Sequence, residues 1–185
     1  MFILYAVALG VLMGFVSGGR LAGLADLRFR WSGLIMGGLI VQVILFSAPV
    51  AERVGGLGAP IYVLSTAAVL VALIRNVAIT GLPMVALGAT SNLAAIIANG
   101  GYMPAAPEAL AAFGRATIDG YSNSTVISQP ALEPLTDLFA LPRFLPFANV
   151  FSVGDLLIGI GVAVAIAWAM RHEHRVRQRT AAEGA

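Results

Sequence analysis

A chain of 185 residues that is 59% hydrophobic and 11% charged, with mean hydropathy +0.90, is too apolar for an ordinary soluble domain, in which about a quarter of residues are charged. It has no cysteine and all 11 basic residues are arginine, which excludes disulfides, thiolate metal sites, cysteine nucleophiles, Schiff-base lysines and a Walker-type lysine. The net charge of +2 is too small to point to a nucleic-acid partner and leaves the lipid bilayer as the partner that the composition names.

The first apolar stretch, Phe2–Gly19, has no charge before Arg20, so it reads as a retained helix rather than a cleaved signal peptide, whose positive charges would come first. Gly10, Gly14 and Gly18 recur every four residues, giving a smooth helix face suited to close helix packing or to a homo-oligomer seam. The second stretch is Trp31–Ser47, with Gly33 and Gly37 repeating that spacing. Pro60–Ile74 and Pro83–Ala98 follow, each with its proline near the first helical turn, where the missing N–H costs nothing. The fifth is Phe151–Met170, in which Gly159, Ala163 and Ala167 give a softer small-residue face. No segment alternates with period two over about ten residues, which counts against a membrane barrel. The expected fold is all-α: a single polytopic membrane domain, a bundle of five transmembrane helices with short interfacial helices in a long outer loop, 99–150.

Arginine counts orient this bundle. Arg20, Arg28, Arg30, Arg75, Arg171, Arg175, Arg177 and Arg179 fall on one side, and Arg53, Arg115 and Arg143 on the other. Positive charge favours the cytoplasmic side, which predicts an outward N-terminus, an inward tail at 171–185 and an outer loop. In that loop Pro107–Ile118 and Ala131–Leu141 read as short surface helices, with a turn or extended crossing at 121–125. The apolar run Leu141–Phe147 is expected to dip into the membrane interface or cap the bundle.

Few residues are suited to chemistry. Ser152-Val153-Gly154-Asp155 has the form of a capping box, so Ser152 and Asp155 are expected to cap the fifth helix. Asp155 is also the one acid close to a span, and such a charge is a functional candidate by default. Asn99-Gly100-Gly101 suits helix termination, with Asn99 as part of a polar lip. Gln42, Ser65, Thr66, Thr90, Ser91 and Asn92 are neutral interior residues of the kind that bond between helices. Arg75-Asn76 reads as an interfacial anchor. His172 and His174, set among arginines, make no convincing metal site, and the tail reads as a basic segment attracted to anionic lipid. No metal site and no cofactor is identified.

Three stretches, Asn99-Gly100-Gly101-Tyr102-Met103-Pro104, Leu135–Pro142 and Asn149–Ile158, together with Gly18-Gly19-Arg20-Leu21, resemble the motifs of a bacterial membrane-protein family, domain of unknown function 5317. The resemblance covers essentially the whole chain. It implies a multi-pass protein of the bacterial cytoplasmic (inner) membrane and transfers no activity. The leading expectation is an accessory or binding role, with Asn99, Asp137 and Asp155 in one outer-face site for a lipid, small molecule or membrane protein partner. One alternative is an outer-leaflet enzyme on a lipid-linked substrate, with Glu133, Asp137 and Asp155 as acid, base or metal ligands. Another is a small transporter with a polar path through Gln42, Ser91 and Asn92.

Overall fold

Long apolar runs without strand alternation satisfy their backbone most economically as helices, and each of the five stretches does so. The computed structural model describes residues 2–113 and 124–183. Its main helices are α1 (Phe2–Val16), α2 (Ser32–Leu45), α4 (Gly58–Ile74), α5 (Leu82–Ala98) and α7 (Val153–Glu183), with a single turn α3 (Ala48–Ala51) after α2 and a short α6 (Pro107–Phe113) after α5. Two segments, Gly55–Ile74 and Val153–Arg171, are long and apolar enough to cross a membrane, while α1, α2 and α5 are shorter apolar helices.

Helix ends follow local chemistry. Ser17 closes α1 and Asn99 closes α5, each followed by a glycine at positive φ, Gly18 at 77° and Gly100 at 70°. In both, the next N–H reaches back to the helix (Gly19 to Gly14 O, 2.9 Å; Gly101 to Ile96 O, 2.8 Å), which is the Schellman pattern that satisfies the last carbonyls. Gly18 thus ends a helix, while Gly10 and Gly14 pack on its buried face. Helix α7 does not stop at Met170: it continues through the polar tail to Glu183, 31 residues in all, or about 46 Å at 1.5 Å per residue.

The helices pack through small residues. Phe2 lies by Gly159, Gly10 by Ala163 and Gly14 by Met170, so α1 runs parallel to α7. Gly81 abuts Gly161 and Ala165, and Gly88 abuts Gly154 and Ile158, so α5 runs antiparallel to α7. Gly81 has φ +92° and a Cβ there would lie 2.3 Å from Gly161 O, so both backbone angle and contact require glycine. Gly38 packs on Ser65 and Val69 of α4, and the Phe46 ring meets Tyr62 edge-on at 5.1 Å, which sets α2 antiparallel to α4. Tyr62 and Val63 of α4 pack on Ala95 and Ile96 of α5. The extensive contacts therefore run in the order α1, α7, α5, α4, α2. The bundle is an open row, with α1 and α2 at its edges. Gly33 and Gly37, spaced like Gly10 and Gly14, have nothing within 4 Å of their Cβ positions.

This alternation gathers the starts of α1, α4 and α7 with the ends of α2 and α5 at one end of the row, the loop end. Among the described side chains the loop end carries Glu52, Glu108, Glu133, Asp137 and Asp155 against Arg53 and Arg143, while the opposite end carries Arg20, Arg28, Arg30, Arg75 and Arg171 against Asp26. At that arginine end Asn76, 3% exposed, clasps the backbone of Arg30. Its Oδ1 accepts from Arg30 N–H at 2.7 Å and its Nδ2 donates to Arg30 O at 2.8 Å. The Arg75 guanidinium lies 5.0 Å from the centroid of the Trp31 ring. These two residues therefore have defined protein partners beyond simple anchoring.

The loop is folded onto the loop end. Strand β1 (Met103–Pro104) pairs in parallel with β2 (Ser124–Thr125), and β3 (Phe139–Ala140) pairs antiparallel with β4 (Val150–Phe151). The helix expected over Ala131–Leu141 is instead one 3-10 turn at Glu133–Leu135 leading into extended chain. Pro134 lacks an N–H, the Thr136 hydroxyl closes the turn on Glu133 O at 2.7 Å, and Thr136 itself is extended at ψ 179°. The expected helix Pro107–Ile118 is present as α6 to Phe113; residues 114–123, with part of the expected 121–125 crossing, lie outside the described residues.

Candidate functional site at the loop end

The most elaborate polar joint in the described residues lies where the loop enters α7. Ser152 is its N-cap, fully buried: Asp155 N–H donates to Ser152 Oγ at 3.0 Å and Ser152 N–H donates to Asp155 Oδ2 at 3.1 Å. This reciprocal pair is a capping box closed by an aspartate, and its carboxylate faces the positive end of the α7 dipole. Asn92 of α5 completes it. Asn92 Nδ2 donates to Asp155 Oδ1 at 2.8 Å, and Ser152 Oγ donates to Asn92 Oδ1 at 2.9 Å. Both carboxylate oxygens of Asp155 are thus engaged. Gly154 lets Asn92 approach, because a Cβ at 154 would sit 1.9 Å from Asn92 Oδ1.

Asn99 lies seven residues, or two turns, along from Asn92, which returns it to the same side of α5. Its Nδ2 donates to Ala95 O at 2.8 Å and to Ala131 O at 2.8 Å, while its Oδ1 accepts from Ala131 N–H at 2.9 Å. One amide side chain therefore satisfies both backbone groups of Ala131 and ties the loop to the end of α5. Asp137 forms a third joint. Its N–H donates to Pro104 O at 2.9 Å, its carbonyl accepts from Ala106 N–H at 3.0 Å, and it is 5% exposed.

The three residues singled out by sequence thus share one end of the molecule, each at a different joint of the loop. Two roles are not legible in the sequence: Asn92, expected as an interior polar residue and on the path of the transporter alternative, joins the cap of α7, and Ser152, expected as a cap, is also the partner of Asn92. Around the joints lies an aromatic cluster. Phe2 stacks on Phe151 at 4.6 Å, and Phe139 meets Phe151 at 5.4 Å. Tyr5 Oη donates to Pro146 O at 2.5 Å and Arg143 Nη2 donates to Ala111 O at 2.5 Å, fixing the segment between β3 and β4. That segment presents Phe144, 84% exposed, and Phe147, 67% exposed.

No group of three or more His, Cys, Asp or Glu side chains comes together among the described residues. Gln42 donates to Thr66 at 3.2 Å on the α2–α4 seam and Asn92 bonds across the α5–α7 seam, whereas Ser65 and Thr90 donate to carbonyls of their own helices, Tyr62 O at 2.9 Å and Ala86 O at 2.8 Å, and Ser91 Oγ is buried without a hydrogen-bond partner among the described residues.

A model of a family of unknown function (DUF5317) matches residues 26–167. No curated protein and no solved structure matches the chain.

Proposed function

The chain belongs to this family of unknown function (DUF5317), and with no activity to carry over from it, we propose that the protein is a five-pass membrane protein whose outer loop is a preformed binding platform. In this proposal the N-terminus and loop end face outward across a bacterial inner membrane, and the arginine end faces the cytoplasm. Its role is accessory: it presents the loop to a membrane protein partner.

Exposed apolar surface supports the membrane part. Only 17% of the membrane-length window within Gly55–Ile74 is buried in the protein, where the core helix of a soluble domain would be mostly covered. On α2, Met36, Leu39, Ile40, Val43 and Ile44 are all exposed, Val43 by 74%. In water such a surface is untenable, while in lipid it is the ordinary exterior. Of the three shorter helices, α5 has 17 residues, the lower limit of about 17–25 for a span, and α1 and α2, with 15 and 14, approach it with their flanking turns. Arginine sorting supports the orientation.

The observation that carries the binding part is the pinning of the loop. Asn99 and the Asp137 bridge fix its backbone at two joints and Asn92 fixes the α7 cap at which it ends, and the loop so held presents Phe144 and Phe147 at its surface. A connector needs no such fixation, whereas a recognition surface gains affinity from being ordered beforehand. The engagement of both Asp155 oxygens favours a structural use of that carboxylate over catalysis.

A photo-crosslinking amino acid at Phe144, compared with one at lipid-facing Val43, tests this in native membranes. One discrete protein adduct from position 144, absent from 43 and lost on Asn99→Ala, is expected. Equal adduct patterns at 144 and 43 would overturn the platform.

A further inference from the structure

The arginine end contains a groove unrelated to the loop. It has a volume of about 280 Å³ and is lined by Met13 and Ser17 from α1, Thr80 from the turn before α5, and Val164, Ala167, Trp168 and Arg171 from α7. Its floor is one face of α7, because residues 164, 168 and 171 are spaced by four and three and superpose within about one-sixth of a turn. Ile160 extends the same stripe toward the loop end, and Ile160, Val164 and Trp168 are all exposed.

Polarity changes along this groove as it does across one leaflet. The lining combines apolar Met13, Val164 and Ala167 with the Trp168 ring, Thr80 and the Arg171 guanidinium, while the Ser17 hydroxyl donates to Met13 O at 2.6 Å. Tryptophan and arginine at such a boundary are the residues of the headgroup level. Arg171 is exposed, and among the described residues it has no hydrogen-bond or ion-pair partner in the protein. Arg20 adjoins it, since Arg20 N–H donates to Met170 O at 2.9 Å. Asp26, the one acid among the described side chains at this end, is absent from the groove lining.

The geometry points to a binding site for an anionic phospholipid, its phosphate at Arg171 and one acyl chain on Met13, Val164 and Trp168. A soluble anion satisfies only the polar end and leaves the apolar floor unmatched, which selects a lipid as the occupant. The site rests on the membrane-spanning reading and is independent of the loop-end platform.

The chain has two tryptophans, Trp31 and Trp168, so Trp31→Phe leaves Trp168 as sole reporter. The full-length variant is reconstituted in vesicles carrying bromine on the acyl chains of either phosphatidylglycerol or phosphatidylcholine at equal mole fraction. The expected result is quenching of Trp168 that corresponds to an about fivefold preference for the anionic lipid, the scale of one arginine at a charged surface. Arg171→Gln removes the preference while retaining quenching, and inorganic phosphate in excess leaves it unchanged. Equal quenching by the two lipids, or an undiminished preference in Arg171→Gln, overturns the site while leaving the membrane reading intact. Loss of the preference in phosphate makes it a soluble-anion site and also overturns the lipid assignment. Absence of quenching by either lipid refutes insertion itself.

Discussion

Asn92→Ala removes a side chain that hydrogen-bonds α5 to the start of α7. Two hydrogen bonds disappear, Asn92 Nδ2 to Asp155 Oδ1 at 2.8 Å and Ser152 Oγ to Asn92 Oδ1 at 2.9 Å. The capping box survives, because Ser152 Oγ and Asp155 still serve each other's backbone N–H. Hydrogen bonds between membrane helices contribute about 0.6–1.7 kcal/mol each, and bonds to an ionised group fall at the upper end. The expected loss is therefore about 2–3 kcal/mol, which is at least about 30-fold in the unfolding equilibrium. Reversible unfolding in mixed micelles, titrated with dodecyl sulfate and followed by tryptophan fluorescence, measures it. A double-mutant cycle with Asp155→Ala should give a coupling of about 1–2 kcal/mol. If Asn92→Ala stays within about 0.5 kcal/mol of the parent, the range of an ordinary surface change, or if the two substitutions add without coupling, the joint does not hold the helices together.

The same titration distinguishes glycines that look alike in sequence. Gly10→Ala places a methyl group 2.8 Å from Ala163 Cα and should cost about 1–3 kcal/mol by overpacking, whereas Gly37→Ala meets open space and should be neutral or stabilising by up to about 1 kcal/mol; equal effects would contradict the assignment of the α1–α7 seam. Asn99→Ala frees the backbone of Ala131, so amide exchange at Ala131 should accelerate at least tenfold, about 1.4 kcal/mol of protection, with α7 unchanged; unaltered exchange there would remove Asn99 as a joint. Asn76→Ala unclasps Arg30 at the opposite end, and limited proteolysis should then open the Arg28–Arg30 segment while leaving the loop end intact. Equal cleavage in parent and variant would contradict that clasp.

Sequence shows what depends on near neighbours along the chain. The five apolar runs locate the main helices within three residues at every boundary but the end of α7, and the capping box is legible because Ser152 and Asp155 are three residues apart. The partner of that box is not, because Asn92 lies 60 residues from Ser152 and nothing near position 92 distinguishes it from Ser91 or Thr90. The order of the row is equally hidden. Gly10-x-x-x-Gly14 and Gly33-x-x-x-Gly37 carry the same pattern, yet one packs on α7 and the other faces outward, since helix neighbours are set by the whole fold. The α5–α7 seam left a faint trace: Gly81 and Gly88 are seven apart, as are Gly154 and Gly161, the spacing of two turns. The loop is where local propensity misled. Ala131–Leu141 reads as helix by composition, but the Thr136 hydroxyl and the bridge from Asp137 to Ala105 draw its backbone into extended pairing. Hydropathy also cannot mark the end of α7, because a polar segment continues a helix as readily as it ends one.

The central claim is a five-pass chain with the loop end outside, and cysteine accessibility tests it most directly in this naturally cysteine-free protein. Phe144→Cys and Ala25→Cys, each at an exposed position on opposite ends of the row, are treated in intact cells with a membrane-impermeant maleimide. Labelling of position 144 before lysis, and of position 25 only after lysis, is the predicted result. Labelling of position 25 in intact cells, alone or together with 144, would contradict the orientation and the spanning row on which the account rests.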